Sequence, residues 1–233
     1  MEGITCEVKG DEADAIDLTS IDIVSRDIEL GAQSKDDLFP SGFVVSYFDR
    51  LGELGHLNAL GFRFLDATSM STEVGGALCR VVAACPKLAQ LELSYRYTYH
   101  GFIEDLFAVL ETHPGLRTLR IDGYLNYRYG VRLSPLKRLL RRNRQIDVVN
   151  IPDGILRANP ELKEICSTNR FFRGSQNVIG KLPSSRLALL GAAMTHNGPS
   201  DLQRTGILLN DHVDLLLEML QDKIVDTDVT EQQ

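Results

Sequence analysis

The sequence predicts an α/β fold in which short strands alternate with amphipathic helices to form a short solenoid. Three observations predict it. The phrase Leu-x-x-Leu-x-Leu beginning at Leu88 recurs at Leu116, the segment between the two copies has helical spacing, and other parts of the chain follow the same phase. A strand–helix unit that recurs at a period between about 20 and 50 residues is typical of solenoids.

The phase extends over five units, which start at Leu57, Leu88, Leu116, Ile146 and Leu162. The starts are 31, 28, 30 and 16 residues apart, so the last unit is truncated. Prolines two residues before the second and third starts end the preceding helices, because the residue before a proline is pushed out of helical dihedrals. Three residues before the middle three starts stand Cys85, His113 and Asn143. Ten, seven and six residues before those starts the chain is apolar: Leu78, Val81 and Val82; Leu106, Val109 and Leu110; Leu136, Leu139 and Leu140.

The phrases LAQLEL, LRTLRI and IDVVNI, with helices between them, resemble leucine-rich repeats of the ribonuclease-inhibitor-like class over residues 41–169. The resemblance implies parallel strands on a concave face and helices on a convex face. It implies little about function, because such repeats are scaffolds for many unrelated partners. The chain departs from the family pattern after each strand, where the usual Asn is replaced by Ser94 and Asp122, so the repeats are degenerate.

The repeats are predicted to occupy residues 57–169, between two terminal regions. Residues 1–15 are acidic and are expected to be disordered. Residues 16–56 form a capping strand and helix, with strict alternation over residues 16–23 and a helix over 39–54 that Ser41 caps. Residues 170–225 form a helical cap, in which a loop over 170–183 leads into a helix from Ser184 or Ser185 to Thr195 and a later helix capped by Asn210. Residues 226–233 are a polar, disordered tail.

Charge and cysteine usage bound the class of protein. Residues 1–53 carry a net charge of −9, residues 54–200 of +8 and residues 201–233 of −6. Either a partner of the repeats is acidic, or the acidic ends screen the basic body. The four cysteines lack metal-ligand spacing, the N-terminus lacks a signal-peptide pattern, and no run of eighteen apolar residues is present. A cytoplasmic protein with reduced thiols and no membrane span is therefore expected.

The strongest functional signal is a concentration of tyrosine and arginine in the loops that follow two neighbouring strands. These residue types are enriched at interface hot spots because they bury area at low rotamer cost and keep hydrogen-bonding tips. The alternative is that the tyrosines pack on one another and stabilise two long loops. Arg117 and Arg120 are predicted at the centre of the concave face. The loop residues predicted to bind a partner are Tyr95, Arg96, Tyr97, Tyr99, His100, Tyr124, Tyr127, Arg128 and Tyr129.

Two further segments carry alternatives. The basic stretch from Lys137 to Arg144 is interpreted as a solvated helix face, with a nuclear-import or nucleic-acid patch as the alternative. The absence of a nucleic-acid-binding motif and the acidic chain argue against nucleic acid. The segment from Gly206 to Leu220 is weakly similar to short helices that recruit partners in ubiquitin-ligase adaptors, although a solenoid cap is favoured.

The sequence contains no phosphate-binding glycine loop, nucleophile elbow or metal-ligand spacing, so no cofactor, metal or catalytic residue is predicted. Cys85 and His113 occupy equivalent repeat positions and could meet in space, but core packing is favoured over catalysis. We therefore expect a non-enzymatic protein-binding module with an unidentified protein partner. The alternatives are a secreted effector or ubiquitin-ligase adaptor and, at lower odds, an enzyme using Tyr, Arg and His100 on the loop edge. The oligomeric state stays open.

Overall fold

The structure is a computed structural model that describes residues 4–9, 23–33, 39–65, 71–94, 101–122, 133–179, 202–214 and 217. The chain divides into two compact units, Met1–Ile165 and Cys166–Gln233. The strands are β1 (Ile4–Lys9), β2 (Asp27–Gln33), β3 (Ala59–Leu65), β4 (Gln90–Ser94), β5 (Thr118–Asp122) and β6 (Asp147–Val149). The helices are α1 (Ser41–Leu54), α2 (Thr72–Ala84), α3 (Gly101–Leu110), α4 (Leu133–Arg142), α5 (Asp153–Ala158), α6 (Pro160–Ile179) and α7 (Leu202–Asp211).

The first unit is built on a six-stranded parallel sheet in which the strands lie side by side in chain order. One helix connects each pair of neighbouring strands from β2 to β6, and each of these helices contacts the next. Since parallel neighbours require a crossover connection, the strand–helix alternation read from the sequence leads directly to this sheet. The predicted α/β fold with parallel strands is confirmed.

Four of the five predicted unit starts lead into strands, because β3, β4, β5 and β6 begin one or two residues after Leu57, Leu88, Leu116 and Ile146. All four of these start residues are fully buried. The fifth predicted strand, at Leu162, is wrong, because this residue lies in α6. The apolar phrase is only four residues long, and such a short pattern fits one turn of a helix as well as a strand.

The core lies between the helices and one face of the sheet. Inward-facing strand residues pack there with the apolar helix positions, for example through an edge-to-face contact of Phe48 in α1 with Phe62 in β3 at 4.9 Å between ring centroids. Eight of the nine residues predicted for the core side of α2, α3 and α4 are buried, and the ninth, Val109, is half-buried. The inward strand residues are Ile28, Leu30, Leu60, Phe62, Leu91, Leu93, Leu119 and Ile121.

The N-terminal prediction needs correction. Residues 4–9 form β1, although the acidic composition of residues 1–15 predicts disorder. Composition misses the backbone partners that a neighbouring strand supplies: β1 pairs with β2 from Ile4 opposite Ile28 to Lys9 opposite Gln33. The strand predicted at 16–23 falls almost entirely outside the described residues, and β2 is a strand that the analysis did not predict. The predicted helix is confirmed as α1, although Ser41 is its first residue rather than its cap, which is Pro40.

The predicted C-terminal boundaries also change. A loop was expected from residue 170, but α6 continues to Ile179 as one helix of 20 residues. Gly174 lies exposed on this helix with open space around its α-carbon, so it does not make a turn. Asn210 lies near the end of α7 instead of capping a new helix. The helix predicted from Ser184 or Ser185 lies outside the described residues.

Candidate functional site: the open face of the sheet

The face of the sheet opposite the helices carries the candidate site, which we call the open face. Along β4 and β5 every second residue is buried and the alternate residues are half-buried, so one side of the sheet is covered and the other is accessible. The pairing places Glu29, Gly61, Glu92 and Arg120 in one row across four strands. This row crosses the middle of the open face.

A cleft of about 340 Å³ lies over this row. Its walls come from five consecutive strands, so the sheet register alone assembles it. Three carboxylates and one guanidinium line it among small or uncharged residues. The side chains that belong to the open face are Asp27, Glu29, Ala59, Gln90, Glu92, Thr118, Arg120 and Val149, with Gly61 between them.

Arg120 is held by three neighbours. It faces Glu92 directly across β4 and β5, with Nη1 at 3.6 Å from Oε1, and its Nε lies 3.3 Å from Oδ2 of Asp122. The Asn150 side chain, with its amide oxygen turned toward Arg120, accepts from Nε at 3.0 Å. Asn150 has a backbone φ of 63°, a left-handed conformation that Asn tolerates better than most residues, and it follows directly after β6. The guanidinium is therefore engaged within the chain.

Glu29 and Gly61 shape the other end of the row. Glu29 makes an ion pair with Arg63, which lies on the neighbouring strand. A β-carbon added at Gly61 would meet Cγ of Glu29 at 3.1 Å, so the Glu29 side chain leans over the glycine. The missing side chain at Gly61 therefore gives the Glu29 side chain room to lie over the neighbouring strand.

The open face is acidic over the described side chains of β2 to β6. It carries five carboxylates, those of Asp27, Glu29, Glu92, Asp122 and Asp147, against two guanidinium groups, those of Arg63 and Arg120. Both cations make ion pairs with these carboxylates. The sequence predicts a face of mixed charge with two central arginines, because a charge count over residues 54–200 does not separate this face from the basic helices.

The two predicted concave-face arginines differ in placement. Arg120 lines the cleft, whereas Arg117 precedes β5 and is absent from the cleft lining. The Nη1 atom of Arg117 donates to the carbonyls of Pro114 at 3.0 Å and Leu116 at 3.2 Å. Arg117 thus folds back on the turn before the strand.

The tyrosine and arginine residues predicted to bind a partner lie outside the described residues. Tyr95, Arg96, Tyr97, Tyr99 and His100 fall in the segment 95–100, which follows β4, and Tyr124, Tyr127, Arg128 and Tyr129 fall in 123–132, which follows β5. Because β4 and β5 are adjacent and parallel, the strand ends that precede these segments, Ser94 and Asp122, lie side by side at one edge of the sheet. Their role stays a prediction.

The Cys85 and His113 side chains do not form a nucleophile–base pair. The His113 Nε2 donates to the Cys85 carbonyl at 3.1 Å, while its Nδ1 accepts from the Leu116 N–H at 3.0 Å. Both ring nitrogens are therefore bonded to backbone, and burial raises the pKa of the Cys85 thiol. The expectation that His113 is structural is confirmed.

Cys85, His113 and Asn143 instead form a series of contacts between successive units, which we call the junction ladder. Each side chain bonds to carbonyls near the end of the preceding helix: Cys85 to Leu51 at 3.9 Å, His113 to Cys85, and Asn143 to Leu110 and His113 at 3.0 Å each. The carbonyls of Leu51, Cys85 and Leu110 also accept from nearby backbone N–H groups, so the ladder side chains add a second hydrogen bond that crosses to the next unit. The ladder fixes how neighbouring units stack.

The junction ladder predicts a pH dependence of stability. Burial, with Arg117 adding to it, holds the pKa of His113 below its usual value of 6.5. The unfolded chain therefore takes up this proton before the folded chain does, so the free energy of unfolding falls as the pH drops through about 6.5. In His113→Asn this contribution disappears. Chemical denaturation of wild type and His113→Asn between pH 7.5 and 5 measures this contribution. If the difference between their free energies of unfolding stays constant across that range, the prediction is wrong.

The basic helix α4 is largely paired along its accessible side. Lys137 and Arg141 both bond to Glu161, whose pKa they lower, and Arg138 bonds to Glu111. Leu136, Leu139 and Leu140 face the core. These ion pairs favour the interpretation as a solvated helix face.

The second compact unit, Cys166–Gln233, contains a serine and a histidine in contact, a pair that no sequence motif marks. The Ser175 hydroxyl donates to Oδ2 of Asp211 at 3.0 Å and lies 3.0 Å from Nε2 of His212. The Ser175 hydroxyl thus lies within hydrogen-bond distance of both a carboxylate and an imidazole nitrogen. Both side chains are buried, so the cluster joins α6 to the end of α7. No signal within a sequence separation of 37 residues predicts it.

The remaining groups that could carry chemistry in the described part of the chain include three cysteine thiols. Cys79, Cys85 and Cys166 are reduced thiols there, and burial raises the pKa of Cys79 to about 11. Within the same residues, no group of three His, Cys, Asp or Glu side chains is placed to hold a metal ion, and no helix is both long and apolar enough to cross a membrane. No family model, curated protein or solved structure matches this chain.

Proposed function

We propose that the chain is a non-enzymatic protein-binding module of the degenerate leucine-rich-repeat type, which binds a protein partner on its open face and on the loop edge beside it. The observation that carries the proposal is the cleft of about 340 Å³, assembled by side chains from five consecutive strands. Binding surfaces in repeat proteins are built in this way, from equivalent positions of successive units.

The repeat assignment is supported by the phase of the buried start residues and by the junction ladder, since both recur at equivalent positions of successive units. In this proposal the terminal elements act as caps, which solenoids need because their end units have only one neighbour. Val213 and Leu217, four residues apart near the C-terminus, are 56% and 55% exposed. A second, adaptor-like contact through this pair is the alternative to a cap.

The proposal predicts that a bulky residue on the open face abolishes capture of the partner. In Gln90→Trp the indole fills the cleft, because Gln90 lines it and points out of the sheet. The matched control is Ala83→Trp, which places the same side chain on the exposed side of α2. Affinity purification from lysate, followed by binding of the purified partner to each variant, gives the measurement.

We expect the partner to bind wild type and Ala83→Trp alike and to lose at least about 90% of its binding to Gln90→Trp, a loss of about 1.4 kcal/mol or more. The double variant Tyr97→Ala/Tyr127→Ala tests the loop edge in the same assay. A partner that binds Gln90→Trp as tightly as wild type, when that variant melts normally, refutes the open face as the binding site.

A further inference from the structure

We propose that the open face receives an extended, basic segment of a protein partner, with one lysine or arginine side chain entering the cleft over Gly61 between Glu29 and Glu92. This inference rests on the proposed function and specifies the partner of the same site.

Charge complementarity is the first argument. The described side chains of the open face carry five carboxylates and two guanidinium groups, and both guanidinium groups are already ion-paired with those carboxylates. An acidic partner would have to break these pairs to reach a cation. A basic partner needs no cation of the face, because the Glu29 and Glu92 carboxylates, although paired with Arg63 and Arg120, each have lone pairs for a further donor.

The shape of the row is the second argument. Glu29, Gly61 and Glu92 lie opposite one another on three adjacent strands. Neighbouring strands are about 4.8 Å apart, so the two glutamate α-carbons are separated by about 10 Å across the glycine. The Glu29 side chain leans over Gly61, and the cleft of about 340 Å³ that lies over this row has room beside it for one long cationic side chain.

The environment of the carboxylates is the third argument. The Glu29 and Glu92 side chains are only 32% and 39% exposed, and they line a cleft instead of standing on an open surface. Interactions between charges strengthen where water is partly excluded. A cation held there would therefore be bound more firmly than one at the rim, which sets the register of the bound segment. The same negative field repels the phosphates of nucleic acids.

The test uses purified full chain and two eight-residue probe peptides, one of alternating lysine and threonine and one of alternating glutamate and threonine. Binding is followed by fluorescence polarisation and by backbone amide shifts in NMR spectra. We expect the lysine peptide to bind with its largest shifts at Gly61 and its strand neighbours, and the glutamate peptide not to bind at up to 1 mM, about the weakest affinity of interest.

The deciding variant is Glu92→Gln, which leaves Arg120 in contact with Asp122 and Asn150. We expect it to weaken binding of the lysine peptide about five-fold. The control is Glu53→Gln on α1, which removes the same charge from an exposed helix position. Equal weakening by both variants shows non-specific attraction and overturns the inference, as does a lysine peptide that fails to bind wild type.

This outcome is separable from the fate of the proposed function. Suppose that the partner captured by wild type does not bind Gln90→Trp but binds Glu92→Gln as tightly as wild type. Then the open face binds protein, and only the basic-segment inference fails. If the partner binds Gln90→Trp as tightly as wild type, the proposed function fails, whichever peptides bind.

Discussion

Replacing Asn143 with alanine is expected to lower the free energy of unfolding by about 2 to 3 kcal/mol, because the His113 carbonyl and the Gln145 N–H lose their side-chain partner and the Leu110 carbonyl loses one of two. The Asn143 amide donates to the carbonyls of Leu110 and His113 at 3.0 Å each, and its oxygen accepts from the Gln145 N–H at 3.2 Å. Alanine can replace none of these bonds. The loss falls at the junction between the units that end in β5 and β6.

Chemical denaturation of wild type and Asn143→Ala measures the effect directly. The control is Asn159→Ala, since Asn159 makes one hydrogen bond to a carbonyl four residues earlier, that of Ile155 at 3.2 Å. We expect that variant to lose about 1 kcal/mol. If the two substitutions cost the same, the cross-unit bonds of the junction ladder contribute no more than a local hydrogen bond.

The sequence predicted the repeated part of the fold well, for a physical reason. Leu91 and Leu93 can be buried together in an extended chain because alternate residues of a strand face the core, Leu88 is buried just before the strand, and Pro86 interrupts the helix before them. Burial and chain geometry thus fix the unit locally. The strand predicted at Leu162 is wrong because a pattern of only four residues fits a strand and one turn of a helix equally well.

Features that depend on pairing between distant segments were beyond local reasoning. Strand β1 forms from an acidic stretch because β2 supplies its backbone partners. The Ser175 and His212 contact joins residues 37 positions apart. The distribution of charge between the faces of the fold also could not be predicted locally. The basic count of residues 54–200 is correct, but α4 carries much of it and pairs with Glu111 and Glu161, while the open face is acidic.

The junction ladder is a feature that the sequence pattern locates and the structure explains. The sequence placed Cys85, His113 and Asn143 in one repeat position but offered no reason for three such different side chains. The structure supplies the reason, since each can donate a hydrogen to a carbonyl of the preceding unit. The position thus suits a hydrogen-bond donor and not one residue type.

Gly115→Ala is the second substitution with a large expected effect. A β-carbon at this position would lie 2.2 Å from the carbonyl oxygen of Pro86 and 3.1 Å from that of Leu88. Both obstacles are backbone atoms of the preceding unit, so no side-chain rotation relieves the clash and the units must move apart. We expect a loss of about 1 to 3 kcal/mol in the free energy of unfolding, as for overpacked cores.

The matched control is Gly42→Ala in α1, where a new β-carbon meets nothing within 4 Å. There, alanine should raise the stability by about 0.5 to 1 kcal/mol, because glycine loses more backbone entropy on folding. The same entropic gain is present in Gly115→Ala, so opposite signs in the two variants isolate the close approach of the units. Denaturation midpoints that rise in both variants would mean that the loops before β4 and β5 have room to separate, and that the stacking of units is set by the junction ladder alone.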